Sequence, residues 1–102
     1  MKVVAFNGSA RRDGNTAILI RAVFAELQRE GIETELIQLA GERIGGCTAC
    51  GACLKNKNRR CAIDDDIANT CIAKMFEADG VILGSPTYFA DATAEMKALI
   101  DR

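Results

Sequence analysis

Two uninterrupted apolar runs set the limits on how this chain folds. One is "VVAF" (Val3–Phe6) and the other is "GVILGS" (Gly80–Ser85). Each ends in a turn signal, Asn7-Gly8-Ser9 after the first and Ser85-Pro86 at the end of the second. A short strand that is apolar at consecutive positions needs cover on both faces, as in a parallel sheet. Helical stripes fall between and after these runs. Ile20, Val23, Phe24 and Leu27 recur at i, i+3, i+4 and i+7, with Asn15 or Thr16 suited to the N-cap and Gly31 to the C′ stop. "IETELIQL" (Ile32–Leu39) mixes polar and apolar residues and reads as an edge strand. Asp64–Asp66 precede a second stripe of Ile67, Cys71, Ile72, Met75 and Phe76, where negative charge favours a helix N-terminus. Met96, Leu99 and Ile100 form a last stripe.

The order strand, helix, strand, loop, helix, strand, helix predicts an α/β fold with a parallel sheet and helices on both faces. In a 2-1-3 strand order, ligands bind beyond the carboxyl ends of the first and third strands. The third strand then forms an open edge, which invites pairing with another chain. The expectation is a truncated domain, or a partner subunit over that edge. With 102 residues the chain makes one small domain, 1–102. A formal net charge of −1 argues against a nucleic-acid partner. No apolar run approaches the roughly 20 residues of a membrane span, and "MKVVAFNGS" is too short for a secretory signal. The expected location is cytoplasmic, where clustered cysteines serve as ligands or redox groups more often than as structural disulfides. The chain has no His, so it cannot build a Cys–His pair or a His-ligated metal site by itself.

Two loops lie where ligands bind in such sheets. "NGSARRDGNTA" joins the first strand to the first helix and offers backbone N–H groups, Ser9, Thr16 and a helix N-terminus, with Arg11 and Arg12 adding charge. It is neither a Walker A loop nor a dinucleotide G-x-G-x-x-G loop, because Asn15 stands where the Walker Lys belongs. One phosphate monoester suits it better than a nucleoside triphosphate, although an ordinary polar turn with a helix cap would read the same way. "GSPTYFADATAEMKALIDR" follows the third strand. Its Tyr88 and Phe89 could stack on a planar ring, or Phe89 could simply cover the core.

Cys47, Cys50, Cys53 and Cys61 are spaced x2, x2 and x7, within "GCTACGACLKNKNRRC". Four thiolates in a compact run suit a [4Fe–4S] cluster or a zinc site. The run departs from the bacterial ferredoxin pattern, since x7 replaces x3 and Ala62 follows the last cysteine. Gly45, Gly46 and Gly51 would let the backbone wrap closely around a cluster. Lys55, Lys57, Arg59 and Arg60 could offset its negative charge, or could be a solvated loop. Cys71 shares an apolar face with Ile67 and Met75 and is assigned to the core.

Taken together, the two loops resemble those of the flavodoxin-like NAD(P)H-dependent FMN reductases. The shared features are a G-S-x-R-x-x-G-N-T loop, an S-P-x-Y loop and a closing "KALIDR". The cysteine run resembles that of the iron–sulfur flavoprotein branch of the same family. This resemblance implies a flavodoxin-like three-layer sandwich, of which the chain is the N-terminal part. It implies that Ser9, Arg11, Asn15 and Thr16 bind the phosphate of FMN, with Ala17 beside them. Pro86, Thr87, Tyr88 and Phe89 would border the ring, and Cys47, Cys50, Cys53 and Cys61 would hold a [4Fe–4S] cluster. It further implies an oxidoreductase role in electron transfer, a redox partner (NAD(P)H or a ferredoxin-type carrier) and a homo-oligomer, dimer or tetramer. An FMN or quinone reductase without a functional cluster, and a zinc or thiol binding module with no enzyme activity, are the alternatives.

Overall fold

A computed structural model describes residues 1–102. The elements are β1 (Lys2–Asn7), α1 (Asn15–Arg29), β2 (Glu33–Gln38), α2 (Ala52–Asn56), α3 (Ala68–Glu77), β3 (Gly80–Gly84) and α4 (Ala94–Asp101). The three strands are parallel in the order β2-β1-β3, with Asn7 level with Gln38 on one side and Gly84 on the other. The short helix α2, inside the cysteine loop, has no counterpart in the sequence reading.

Strand β1 shows why a continuous apolar run is required. Side chains alternate across a strand. Val4 and Phe6 therefore point to one face, packing with Leu39, Cys71, Met96 and Leu99, while Val3 and Ala5 point to the other, against Ile20 and Phe24. Phe6 is fully buried, and covering such a side chain contributes about 1.5–3 kcal/mol. α1 thus covers one face, and α3 with α4 covers the other. Two glycines at the strand ends permit close approach there. A Cβ on Gly84 would lie 2.7 Å from Ile20 Cδ1, and one on Gly8 would lie 3.0 Å from both Met96 Cβ and Thr93 Oγ1.

The helical stripes need correction on one side. Ile20, Phe24, Met96 and Leu99 are buried as expected, yet Val23, Phe76 and Ile100 are exposed, as are Val81 and Leu83 of β3. The cause is geometric: the strand order leaves β3 at the edge, so the apolar residues flanking it on both faces lack cover. The helix caps also differ by a residue. α1 is preceded by Gly14 rather than capped by Asn15 or Thr16, whereas Gly31 takes φ +76 just past the helix, as a C′ glycine does.

Candidate functional site

The loop after β1 is shaped by its own polar side chains. Asn7, fully buried, accepts the Ser9 N–H on Oδ1 at 3.0 Å, and Ser9 Oγ accepts the Arg11 N–H at 3.0 Å. Gln38 of β2 braces this turn, accepting from Asn7 Nδ2 at 2.8 Å and donating to the Arg12 carbonyl at 3.1 Å. The loop delivers the chain to the start of α1. No side chain caps that helix and no acid occupies its first turn. First-turn amides have no partner within a helix, so this end is suited to an anion. α4 starts beside the same sheet edge in the opposite manner. Thr93 caps it, accepting the Met96 N–H at 3.3 Å, and Glu95 lies in its first turn.

Ser9, Arg11, Gly14, Asn15 and Thr16 line a cavity of about 180 Å³ together with Pro86 and Tyr88 from the loop after β3. The topology thus brings the two sequence loops to one place. Ser85 organises the second loop: its Oγ donates to the Pro86 carbonyl at 2.8 Å and accepts the Thr93 N–H at 3.0 Å. Three residues from the sequence reading lie outside the cavity lining. Ala17 is fully buried in α1, Thr87 is exposed, and Phe89 is wholly exposed at the tip of a turn closed by Tyr88 and Asp91. Phe89 and Ala90 hold that turn at φ 44 and 68. Phe89 therefore does not cover the core.

The four candidate ligand cysteines also line one cavity, of about 70 Å³, with Thr48, Ile63, Asp101 and Arg102 among the other lining residues. The loop reaches this shape through left-handed residues at Ala49, Lys57 and Arg59 as well as Gly51; Gly45 and Gly46 are not left-handed. Of the basic residues, Arg59 stacks its guanidinium 4.8 Å from the Phe76 ring, and Arg60 pairs with Asp64 at 3.2 Å. Cys47, Cys50 and Cys53 are exposed, Cys61 is half-buried and Cys71 is buried. Burial pushes the Cys71 thiol up to about 11, which makes it inert. Cys61 goes the other way. The Ile63 backbone N–H and then the Arg102 guanidinium hold its thiol below the usual range, favouring the thiolate that binds metal.

Sequence reasoning missed three residues around Cys61. Asn69, almost fully buried, accepts the Cys61 N–H at 2.7 Å and donates to the Cys61 carbonyl at 2.9 Å. Asp66 and Arg102 form an ion pair at 2.8 Å, with side chains 6 % and 0 % exposed. Arg102, in turn, holds the Asp66 carboxyl below the usual carboxylate range. Nothing in the spacing of these residues points at the cysteines, and only "KALIDR" drew attention to the arginine.

A parallel 2-1-3 sheet with an anion-receptive loop after β1 and an aromatic loop after β3 defines a flavodoxin-like α/β protein. The chain belongs to the NADPH-dependent FMN reductase family, whose model matches residues 1–102. Among curated relatives, it is 44% identical over 102 residues to an iron–sulfur flavoprotein of Methanocaldococcus jannaschii, covering 51% of that protein. It is 41% identical to one of Archaeoglobus fulgidus and 36% identical to one of Methanosarcina thermophila, covering 48% and 52% of them. The chain thus spans about half the length of the curated relatives it matches. Among solved structures, it is similar in fold to RosB with bound 8-demethyl-8-formylriboflavin-5'-phosphate. The TM-score is 0.71 at 20% identity, covering 98% of this chain and 40% of that one.

Proposed function

We propose that the chain is the FMN-phosphate and iron–sulfur half of an electron-transfer flavoprotein. The observation that carries this reading is the uncapped N-terminus of α1, opening on a cavity that Ser9, Arg11, Asn15 and Thr16 share with Pro86 and Tyr88. Its donors fit a phosphate monoester: free helix amides, a hydroxyl and a guanidinium. At about 180 Å³ the cavity is smaller than the roughly 300–1,000 Å³ of a whole small-molecule pocket. It suits the phosphate end of a flavin, with Tyr88 at the rim towards the ring. Further strands of the domain, or a second subunit forming a dimer or tetramer, would complete the ring site and cover the exposed Val81 and Leu83.

The cysteine cavity supports the second cofactor. Its four thiols line one space. Four thiolates in one place suit a [4Fe–4S] cluster, or a zinc ion, and metal analysis separates the two. When bound, FMN would link two-electron donors such as NAD(P)H to one-electron carriers of ferredoxin type, and the cluster would hold single electrons. The protein's own task is positioning. Ser9 and the α1 amides anchor the phosphate, Arg11 neutralises it, and Cys61 presents a thiolate at a fixed place. α4 joins the two sites, starting against Gly8 and ending at Arg102. No helix is long and apolar enough to cross a membrane, and we place this chemistry in the cytoplasm.

An anaerobic absorption spectrum with flavin and metal analysis tests the reading. Bound FMN together with iron and sulfide is expected. Protein that takes up neither after reconstitution would sink it, and stoichiometric zinc without flavin would favour a zinc or thiol module. The exposure of Cys47, Cys50 and Cys53 favours one alternative, an FMN or quinone reductase with no working cluster. Steady NAD(P)H oxidation by iron-free protein would select that alternative.

A further inference from the structure

Arg102 closes the neck of the cysteine loop. An arginine carries five N–H donors in a rigid fork, and here every one meets an acceptor. Nε donates to Cys61 Sγ at 3.1 Å. Nη1 donates to the Gly45 carbonyl at 2.7 Å and to Asp66 Oδ2 at 2.8 Å. Nη2 donates to the Ile63 carbonyl at 2.7 Å and to Asp66 Oδ1 at 3.3 Å. Gly45 precedes Cys47, and Ile63 follows Cys61. One planar group therefore clamps both ends of the segment that carries the four thiols. Asp66 extends the clamp by accepting the N–H groups of Gly45 at 3.2 Å and Ala68 at 3.0 Å.

Cys61 differs from the other three thiols in being held by side chains at both its backbone and its sulfur. Asn69 grips its backbone N–H and carbonyl, and Arg102 meets its sulfur. It is a fixed corner of the cavity that the exposed Cys47, Cys50 and Cys53 also line. The guanidinium is fully buried, so solvent screens its interaction with that sulfur weakly.

We propose that Arg102 is a positioning residue for the cysteine site, and that its hydrogen bond to Cys61 Sγ raises the reduction potential of the bound cluster. This inference rests on the iron–sulfur reading of the cavity. Reduction adds one electron to the cluster with no atom gained or lost, so the reduced form carries one more negative charge. A buried cation with an N–H aimed at a ligand sulfur favours that form, and charge and hydrogen bonds to sulfur are among the determinants of cluster potential.

The test is a dithionite titration followed by electron paramagnetic resonance, on anaerobically reconstituted wild type, R102Q and R102K. Iron content and thermal unfolding are measured on the same samples. For R102Q, the equilibrium constant for one-electron reduction is expected to fall about tenfold, a midpoint about 59 mV lower, with reduced iron retention. Lysine keeps the charge but has three donors, too few for all the acceptors. R102K should therefore shift less, in the same direction, and it decides the matter if R102Q does not fold. Wild-type midpoints in the cluster that the variants retain, even at reduced iron content, overturn the tuning role and leave the iron–sulfur reading standing. A wild type that binds no iron removes both.

Discussion

The loop after β1 is held mainly by bonds within itself, with one brace from Gln38 of β2, whereas the neck of the cysteine loop is held from far along the chain. In the first, the shaping bonds run from Ser9 to Asn7 and from Arg11 to Ser9, each across two residues. In the second, the clamp comes from Arg102, 41 residues from Cys61 and 57 from Gly45. The first loop leaves a helix end open to an anion, and the second sets a buried cation against a sulfur. Most of the first loop's shape can therefore be written into a short stretch of chain. The cysteine cavity needs the end of α4 docked before its neck closes.

The strongest way to break this contrast is to remove the fixed corner. C61S should bring iron per chain to background after reconstitution and leave FMN content unchanged; loss of both cofactors together would mean that the sites are not separable. Next comes the clamp. D66N leaves the Arg102 charge buried without its partner, and should cost about 3 kcal/mol in urea unfolding, the low end for breaking a buried pair because this one lies under a loop. A pH series sharpens the point. The folded-state pKa of Asp66 is depressed by Arg102, so its stability contribution is complete above about pH 4 and is lost as pH falls through the depressed value. Wild type should weaken over that acidic range, and D66N should show a flatter profile.

A smaller effect is expected at the self-held loop. If Ser9 binds the FMN phosphate as proposed, S9A removes one hydrogen bond to a charged group, and FMN affinity should fall about tenfold. Riboflavin, which lacks the phosphate, should bind as before, and iron content should stay constant. Calorimetry with the two flavins separates a phosphate contact from a general loosening. The smallest effect concerns the rim. Ala90 sits at φ 68, a left-handed conformation that costs a non-glycine residue about 1 kcal/mol. A90G should therefore raise stability by about that amount, read as a higher Tm, with no change in iron.

Much of the fold was readable because it depends on local periodicity. The runs Val3–Phe6 and Gly80–Ser85 and the stripe through Ile20 and Phe24 follow from apolar spacing, and the 2-1-3 order from the resemblance to flavodoxin-like proteins. Exposure along β3 was not readable residue by residue. A stripe records which residues are apolar, and cover depends on what lies beside the last strand; hence Val23, Phe76 and Ile100 stand exposed. Phe89 illustrates the same limit at a loop, since only backbone geometry decides that it points away from the core.

From the sequence alone came the strand order, the meeting of the Ser9 and Tyr88 loops at one sheet edge, and the four thiols in one compact run. These rest on neighbours in the chain or on a topology with few alternatives. Tertiary structure alone decided which thiol is set in place, and by what. Arg102 reaches Cys61, and Asp66 reaches Arg102, because α3 and α4 pack on the same face of β1, while Asn69 grips Cys61 from the start of α3. A five-donor guanidinium finds its acceptors through that packing, and no spacing along the chain encodes it.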